Sequence, residues 1–295
     1  LGMYGLAGDT VMKLLWDSFV EAEQMQAAFL RDTHLMFYDF FEQNKDYLKK
    51  LYKSKVDFAG DKISKGQAMY LYLLSLREQI IAHIYNLQMG KTPSDSDKGI
   101  IRVTNDKYDD PYKAFLRGRD ITYTRADIKA LKKHFDATDK KFIKLARKFF
   151  NELAKEAKRQ TDLKIYGVSN VSETGDYISA HTSKDTLYTK IGERDLFTEL
   201  FNVYNPGFNK DVKPNAKNKL VVSNIYDVIN RHAQQMALYA GYGAPVRTFN
   251  RIINTKVGDT TVKQMLMEVD PDFLNYVNKL LKDAQGIRQH REGFD

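Results

Sequence analysis

Chemistry in this chain would have to come from scattered residues. The histidines are His34, His83, His134, His181, His232 and His290. No two share a helical turn and no His-Glu-x-x-His occurs, so nothing points to a helix-borne zinc site. His232 is the sharpest candidate, with Asp227 five residues before it and Tyr239 seven after. One imidazole on an apolar face needs only a partner, so the expectation is a buried packing residue rather than a base or ligand. There is no cysteine, which excludes disulfides, thiolate nucleophiles and Cys-based metal sites. No Walker loop and no Gly-x-Ser-x-Gly elbow occur, and Gly241-Tyr242-Gly243 lacks the third glycine of a dinucleotide fingerprint. Carboxylates such as Glu152 and Glu173 could meet in space, but no motif selects them. Asp95, Asp97, Asp106, Asp109 and Asp110 lack EF-hand spacing and read as a solvated loop. The sequence assigns no catalytic residue, metal ligand or cofactor.

Charge is the stronger signal. The net charge is +8, and Arg125 to Gln160 alone holds 12 Lys/Arg against 5 Asp/Glu. Helical spacing sets Lys140, Lys144, Arg147, Lys148, Lys155 and Lys158 near one stripe, opposite Phe142, Leu145, Phe149, Leu153 and Ala157. Two readings stand: a footprint for nucleic acid, or a solvated face in a lysine-rich protein. The aromatic residues fall on the apolar stripe, so base stacking is not indicated.

The elements that would position these residues are mainly helices. Hydrophobic residues make up 43% of the 295, and six prolines leave room for long helices. No Gly or Pro interrupts Thr10 to Ala59, where Val11, Leu15, Ala22, Met25, Phe29 and Met36 alternate at helical spacing. That predicts a long N-terminal helix or arm over residues 1–60, unbroken or broken near Asp32–His34 or Asn44. Ser64 with Gln67 has the form of a capping box and opens a helix to Met89. Residues 91–111 read as loop. Thr124 to Asp127 opens a short helix, Thr138 a basic one to Gln160, and Thr261 to Gln264 is a further capping-box form. Residues 162–190 suggest short strands or irregular structure, Gly192 to Tyr204 a helix, and Asp270-Pro271 the start of a last helix ended by Gly286. From Asn218 to Asn254, Ser223 reads as a cap, Val228, Ile229, His232, Met236 and Tyr239 as the apolar face, and Asp227 as outward. Gly241 and Gly243 then read as a stop and Pro245 as a new start, a helix–turn–helix corner. The expected fold is a mainly α, elongated multi-helix assembly, with residues 61–295 a helical domain carrying an irregular insertion at 162–220. No run of 18 apolar residues exists, so no membrane span is expected. The opening Leu1-Gly2-Met3 suggests a piece excised from a longer polypeptide.

This order of motifs resembles the large polyvalent proteins of bacteriophages. The resemblance rests on Asp227, His232, Met236, Tyr239-Ala240-Gly241 and Pro245-Val246-Arg247. Lys65-Gly66-Gln67 with Leu71-Tyr72, the two-helix unit Thr124 to Phe150, Tyr166-Gly167, Tyr177 and the close Tyr276 to Gly286 extend it over about Ser64 to Gly286. The family's Tyr-Phe-Pro is missing, which leaves the structure of Asp176 to Ser183 open. The resemblance implies a non-enzymatic structural or delivered virion component, found in the virion, in the host cytoplasm after delivery, or in both. Its implied partners are other virion proteins or the rest of a longer parent chain; DNA as a partner for the basic helix comes from the charge pattern instead. It implies no active site, and leaves oligomeric state open. The rivals are a host-acting effector such as a nuclease, a nucleic-acid-binding module, and a defence inhibitor that binds a protein.

Overall fold

The computed structural model describes residues 5–77, 80, 81, 83, 85, 93–169, 171, 177–182, 219–269 and 272. The helix read at Gly192 to Tyr204, the helix begun at Asp270, the Tyr276 to Gly286 motif, Glu173 and His290 lie outside them. The chain is mainly α with small sheets, as its periodicity requires. In chain order the elements are α1 (Gly5–Gln43), α2 (Tyr47–Lys53), β1 (Lys55–Phe58), β2 (Asp61–Ser64), α3 (Lys65–Leu74), β3 (Lys98–Val103), α4 (Pro111–Leu116), β4 (Arg119–Thr124), α5 (Arg125–Leu131) and α6 (Ala137–Lys148). A π-helical turn, Phe149–Ala154, leads into α7 (Lys155–Tyr166). Then come β5 (His181–Thr182), β6 (Leu220–Val222), α8 (Ile225–Ile253), β7 (Lys256–Val257), β8 (Thr260–Thr261) and α9 (Val262–Val269).

Two compact units divide the chain, and both are discontinuous in sequence. The terminal unit comprises residues 1–31, 157–170 and 234–295; the central unit comprises 32–156 and 171–233. This differs from an arm over 1–60 followed by a domain. The N-terminal helix stops at Gln43, where Asn44 donates from its side chain to the Phe40 carbonyl at 2.7 Å. The chain then forms α2 and the β1–β2 hairpin in place of further arm. Ala59 (φ 51°) and Gly60 (φ 82°) make its two-residue turn, the positive-φ pair that matches strand twist.

In the central unit, the four-stranded sheet has the order β4-β3-β6-β5. β3 pairs antiparallel with β4 (Ile101 opposite Ile121) and parallel with β6 (Ile101 opposite Leu220). The loop expected over 91–111 is thus partly a strand, because Ile101 and Val103 alternate with Ile100 and Arg102 and face the core. α3 has the expected capping box but ends at Leu74 instead of running to Met89. α6 starts one cap earlier than expected: the Asp136 carboxylate accepts from Asp139 N–H at 2.8 Å, and Asp139's accepts from Asp136 N–H at 3.0 Å. The rings of Phe37, Phe40, Phe41 and Tyr47 gather around fully buried Phe142, with centroids 5.3–6.0 Å away.

In the terminal unit the expected corner at Gly241–Pro245 is absent: α8 runs through Pro245. The glycines serve helix packing instead. A Cβ on Gly241 would lie 2.4 Å from the Ala22 carbonyl oxygen, and one on Gly243 would lie 2.9 Å from Ile165 Cδ1. Pro245 cannot donate to the carbonyl of Gly241 four residues back, so one helical bond is lost while the helix continues. Among the described residues no helix is long and apolar enough to cross a membrane.

Candidate functional site

Two polar networks in the central unit meet at the N-terminus of α3. Ser64, Lys65, Gly66 and Gln67 are all buried there, which is costly for such residues unless each polar group is bonded. Ser64 Oγ accepts from Gln67 N–H at 3.3 Å and donates to Asp106 at 2.6 Å. Gln67 Nε2 donates to the Asp106 carboxylate at 2.6 Å and to the Thr104 carbonyl at 2.8 Å. These bonds tie α3 to the residues leaving β3. Gly66 faces Asn224, whose Oδ1 would stand 2.3 Å from a Cβ at position 66. Asn224, not Ser223, caps α8, accepting from Tyr226 N–H at 3.1 Å, and it donates to the Leu51 carbonyl at 3.2 Å. The second network centres on fully buried Asp139. It accepts from Lys65 Nζ at 2.7 Å and Tyr47 OH at 2.9 Å, with Lys50 Nζ at 3.5 Å. Lys50 also bonds Asp136 at 2.6 Å.

Asp106 and Asp227 in the first network and Asp136 in the second are shifted in opposite directions. Burial pushes the Asp106 carboxyl up, opposed by the Ser64 bond and reinforced by Asp227 nearby. Burial likewise pushes Asp227 up, against the Tyr52 bond and Arg231. Tyr52 OH donates to Asp227, and burial with that bond raises the phenol well above its usual range. Asp136 goes the other way, down to about 2, because Lys50 bonds its carboxylate and the Asp139 N–H does too. Carboxyls that retain protons can serve as general acids. Here Asp106 and Asp227 spend oxygens on Ser64, Gln67 and Tyr52, so the arrangement joins α2, α3, β3 and α8. Asp227 is therefore half-buried rather than outward as expected.

His232 lies where the sequence placed it, on the buried face of α8. Its ring is packed by Phe149, Phe150 and Tyr177, with centroids 6.1, 5.3 and 6.0 Å away. Met236 and Tyr239, in the terminal unit, are buried as expected. Tyr239 OH donates to Asp162 at 2.5 Å. Lys158 Nζ bonds both oxygens of the same carboxylate at 2.9 and 3.0 Å, and lies 5.1 Å from the Tyr239 ring centre. The Arg247 guanidinium stacks 4.4 Å from the Tyr166 ring centre.

This ion pair corrects one residue of the basic stripe. Lys158 is 2% exposed and paired inside the protein, so it offers no charge to a partner. A π turn holds an extra residue per turn, so it shifts the spacing of buried positions after Phe150 to Ala154 and Lys158. Lys155 is half-buried, while Lys140, Lys144, Arg147 and Lys148 are exposed on α6. The sequence reading missed Tyr52, Asp106, Asp139 and Asn224. The spacing Asp136-x-x-Asp139 and the Asn immediately before Ile225 were usable cap signals; the long-range partners left none. Among the described residues no three His, Cys, Asp or Glu side chains gather to hold a metal ion. Neither a family model, nor a curated protein, nor a solved structure matches the chain. Fold and sites define a mainly α protein of two compact units, each tied by a buried lysine–aspartate pair.

Proposed function

We propose that this chain is a non-enzymatic component of a bacteriophage virion, a segment of a large polyvalent protein that travels in the particle and works through helix packing. The observation that carries the reading is how the residues of the resemblance are used. Lys65, Gly66 and Gln67 each contact an element distant in sequence, namely Asp139, Asn224 and Asp106. Asp227 holds Tyr52, and His232 fills an aromatic cage. Motifs spent on interlocking elements fit a structural protein better than motifs that present groups to a substrate. The partners in this reading are other virion proteins or further segments of a parent chain.

The test is mass spectrometry of purified particles treated with protease and nuclease. Peptides from across residues 64–286, protected until the particle is opened, are the expected result. Their absence from particles, with the protein present in infected cells, would sink the reading in favour of an effector or inhibitor made after infection.

A further inference from the structure

α6 carries its charges in an unusually segregated way. At 100° per residue, Lys140, Lys141, Lys144, Arg147 and Lys148 fall within a sector of about 120°. All five are exposed. The buried residues Asp139, Phe142, Ile143 and Ala146 occupy the opposite side. The acids of this segment are withdrawn from that face or engaged beside it. Asp139 is fully buried with Lys65, Asp136 is bonded by Lys50, and Glu152 lies 3.9 Å from Lys148. Lys132 and Lys133, on the 3-10 turn before α6, are exposed as well.

We propose that the exposed face of α6 is a docking surface for the phosphate backbone of double-stranded DNA. The inference rests on the virion reading for its setting, and names the partner that the face itself selects. The face offers cations and no exposed ring, so it can neutralise phosphates but cannot stack unpaired bases. Phe142, Ile143 and Ala146 of α6 are buried and no large apolar side chain of the helix is exposed, so the face has nothing to insert into a lipid surface. From Lys140 to Lys148 it spans about 12 Å at 1.5 Å per residue. Over that length duplex DNA presents roughly seven phosphates, enough to engage all five cations. Sequence preference is not expected, because phosphate contacts carry no base information.

Affinity of the full chain for a mixed-sequence duplex of about 20 base pairs, measured by fluorescence anisotropy at several salt concentrations, tests this. The expected slope of log K against log salt is about −4.5, at roughly 0.9 per neutralised phosphate. The variant Lys140→Glu/Lys144→Glu/Lys148→Glu should lose at least tenfold in affinity and most of the slope. The control Lys62→Glu/Lys107→Glu/Lys113→Glu changes the same charge at exposed positions elsewhere in the unit and should keep both. Circular dichroism and melting of both variants establish that they fold. Equal losses in the two variants would assign binding to net charge and overturn the proposal. So would a flat salt response, or tighter binding to single strands or polyglutamate than to duplex. The virion measurement is independent: absence from particles leaves the DNA affinity as measured, and absence of affinity leaves the particle result standing.

Discussion

Lys158 and Asp162 test what a buried charge contributes. Removing one partner of such a pair leaves the other uncompensated, at a cost of about 3–5 kcal/mol. Lys158→Ala should lower the unfolding free energy by about 3 kcal/mol, since Tyr239 still bonds Asp162. Denaturant unfolding checks this, and a change below about 1 kcal/mol, the range of exposed pairs, would show that water reaches the pair. Asp227 has the opposite character. Its folded carboxyl keeps a proton to higher pH than in the unfolded chain, where the value is about 3.9. The stability it contributes is therefore full below about pH 4 and is lost as pH rises through the folded value. Asp227→Asn keeps an acceptor for Tyr52 and removes the charge. Its urea midpoint should fall less than that of the parent protein between pH 4 and 7; a steeper fall would mean the carboxylate is the form that stabilises. Asp136 lies at about 2, so its stabilisation is present above about pH 4 and lost as pH falls towards 2. Asp136→Asn should flatten that acid limb, by no more than about 1 kcal/mol because the Lys50 pair is half-exposed.

At the scale of elements, glycine decides how closely segments approach. Gly66→Ala drives a methyl into Asn224, which is held by Leu51 and Tyr226 and cannot simply turn away. Gly241→Ala drives one into the backbone carbonyl of Ala22. Each should cost about 1–3 kcal/mol in denaturant unfolding, the range of overpacked cores. A neutral Gly241→Ala would mean that α1 and α8 part easily within their unit. Local signals in the sequence carried well: the capping boxes at Ser64, Thr124 and Thr261 all form, and the Val228, Ile229 and His232 face is buried. Signals with two physical meanings did not. Gly241-x-Gly243 followed by Pro245 is the pattern of a helix end, and equally of a helix whose flank must be bare. Only the presence of Ala22 and Ile165 alongside distinguishes them. Lys158 was misplaced for a related reason, since a π turn leaves no local signature and every later position shifts. The ties of Asp106 to Gln67 and of Asp139 to Lys65 were invisible because those partners lie 39 or more residues apart in the chain.

For the whole molecule, two features set folding behaviour. With no cysteine, oxidation cannot cross-link an unfolded chain, so refolding from urea at submicromolar concentration should recover the original circular dichroism with or without reductant. Loss of signal under those conditions would contradict this expectation. The parallel pairing of β3 with β6 joins residues far apart in sequence, which slows folding relative to a purely helical bundle of this size.

That same strand pair also gives the chain a direction. A polypeptide that emerges N-terminus first, from a ribosome or any narrow exit, can complete the β3–β4 hairpin long before residues 220–222 arrive. Until then the inner edge of β3 stands open, with unpaired amides and Ile101 and Val103 not yet covered from that side. Fragments that end before Lys219 should therefore be prone to associate through this edge. A synthetic strand carrying Leu220-Val221-Val222 should compete for it. Emergence from the other end would expose β6 first, a three-residue strand too short to template much by itself. The order in which the chain appears thus sets which sticky edge its surroundings must tolerate, and for how long.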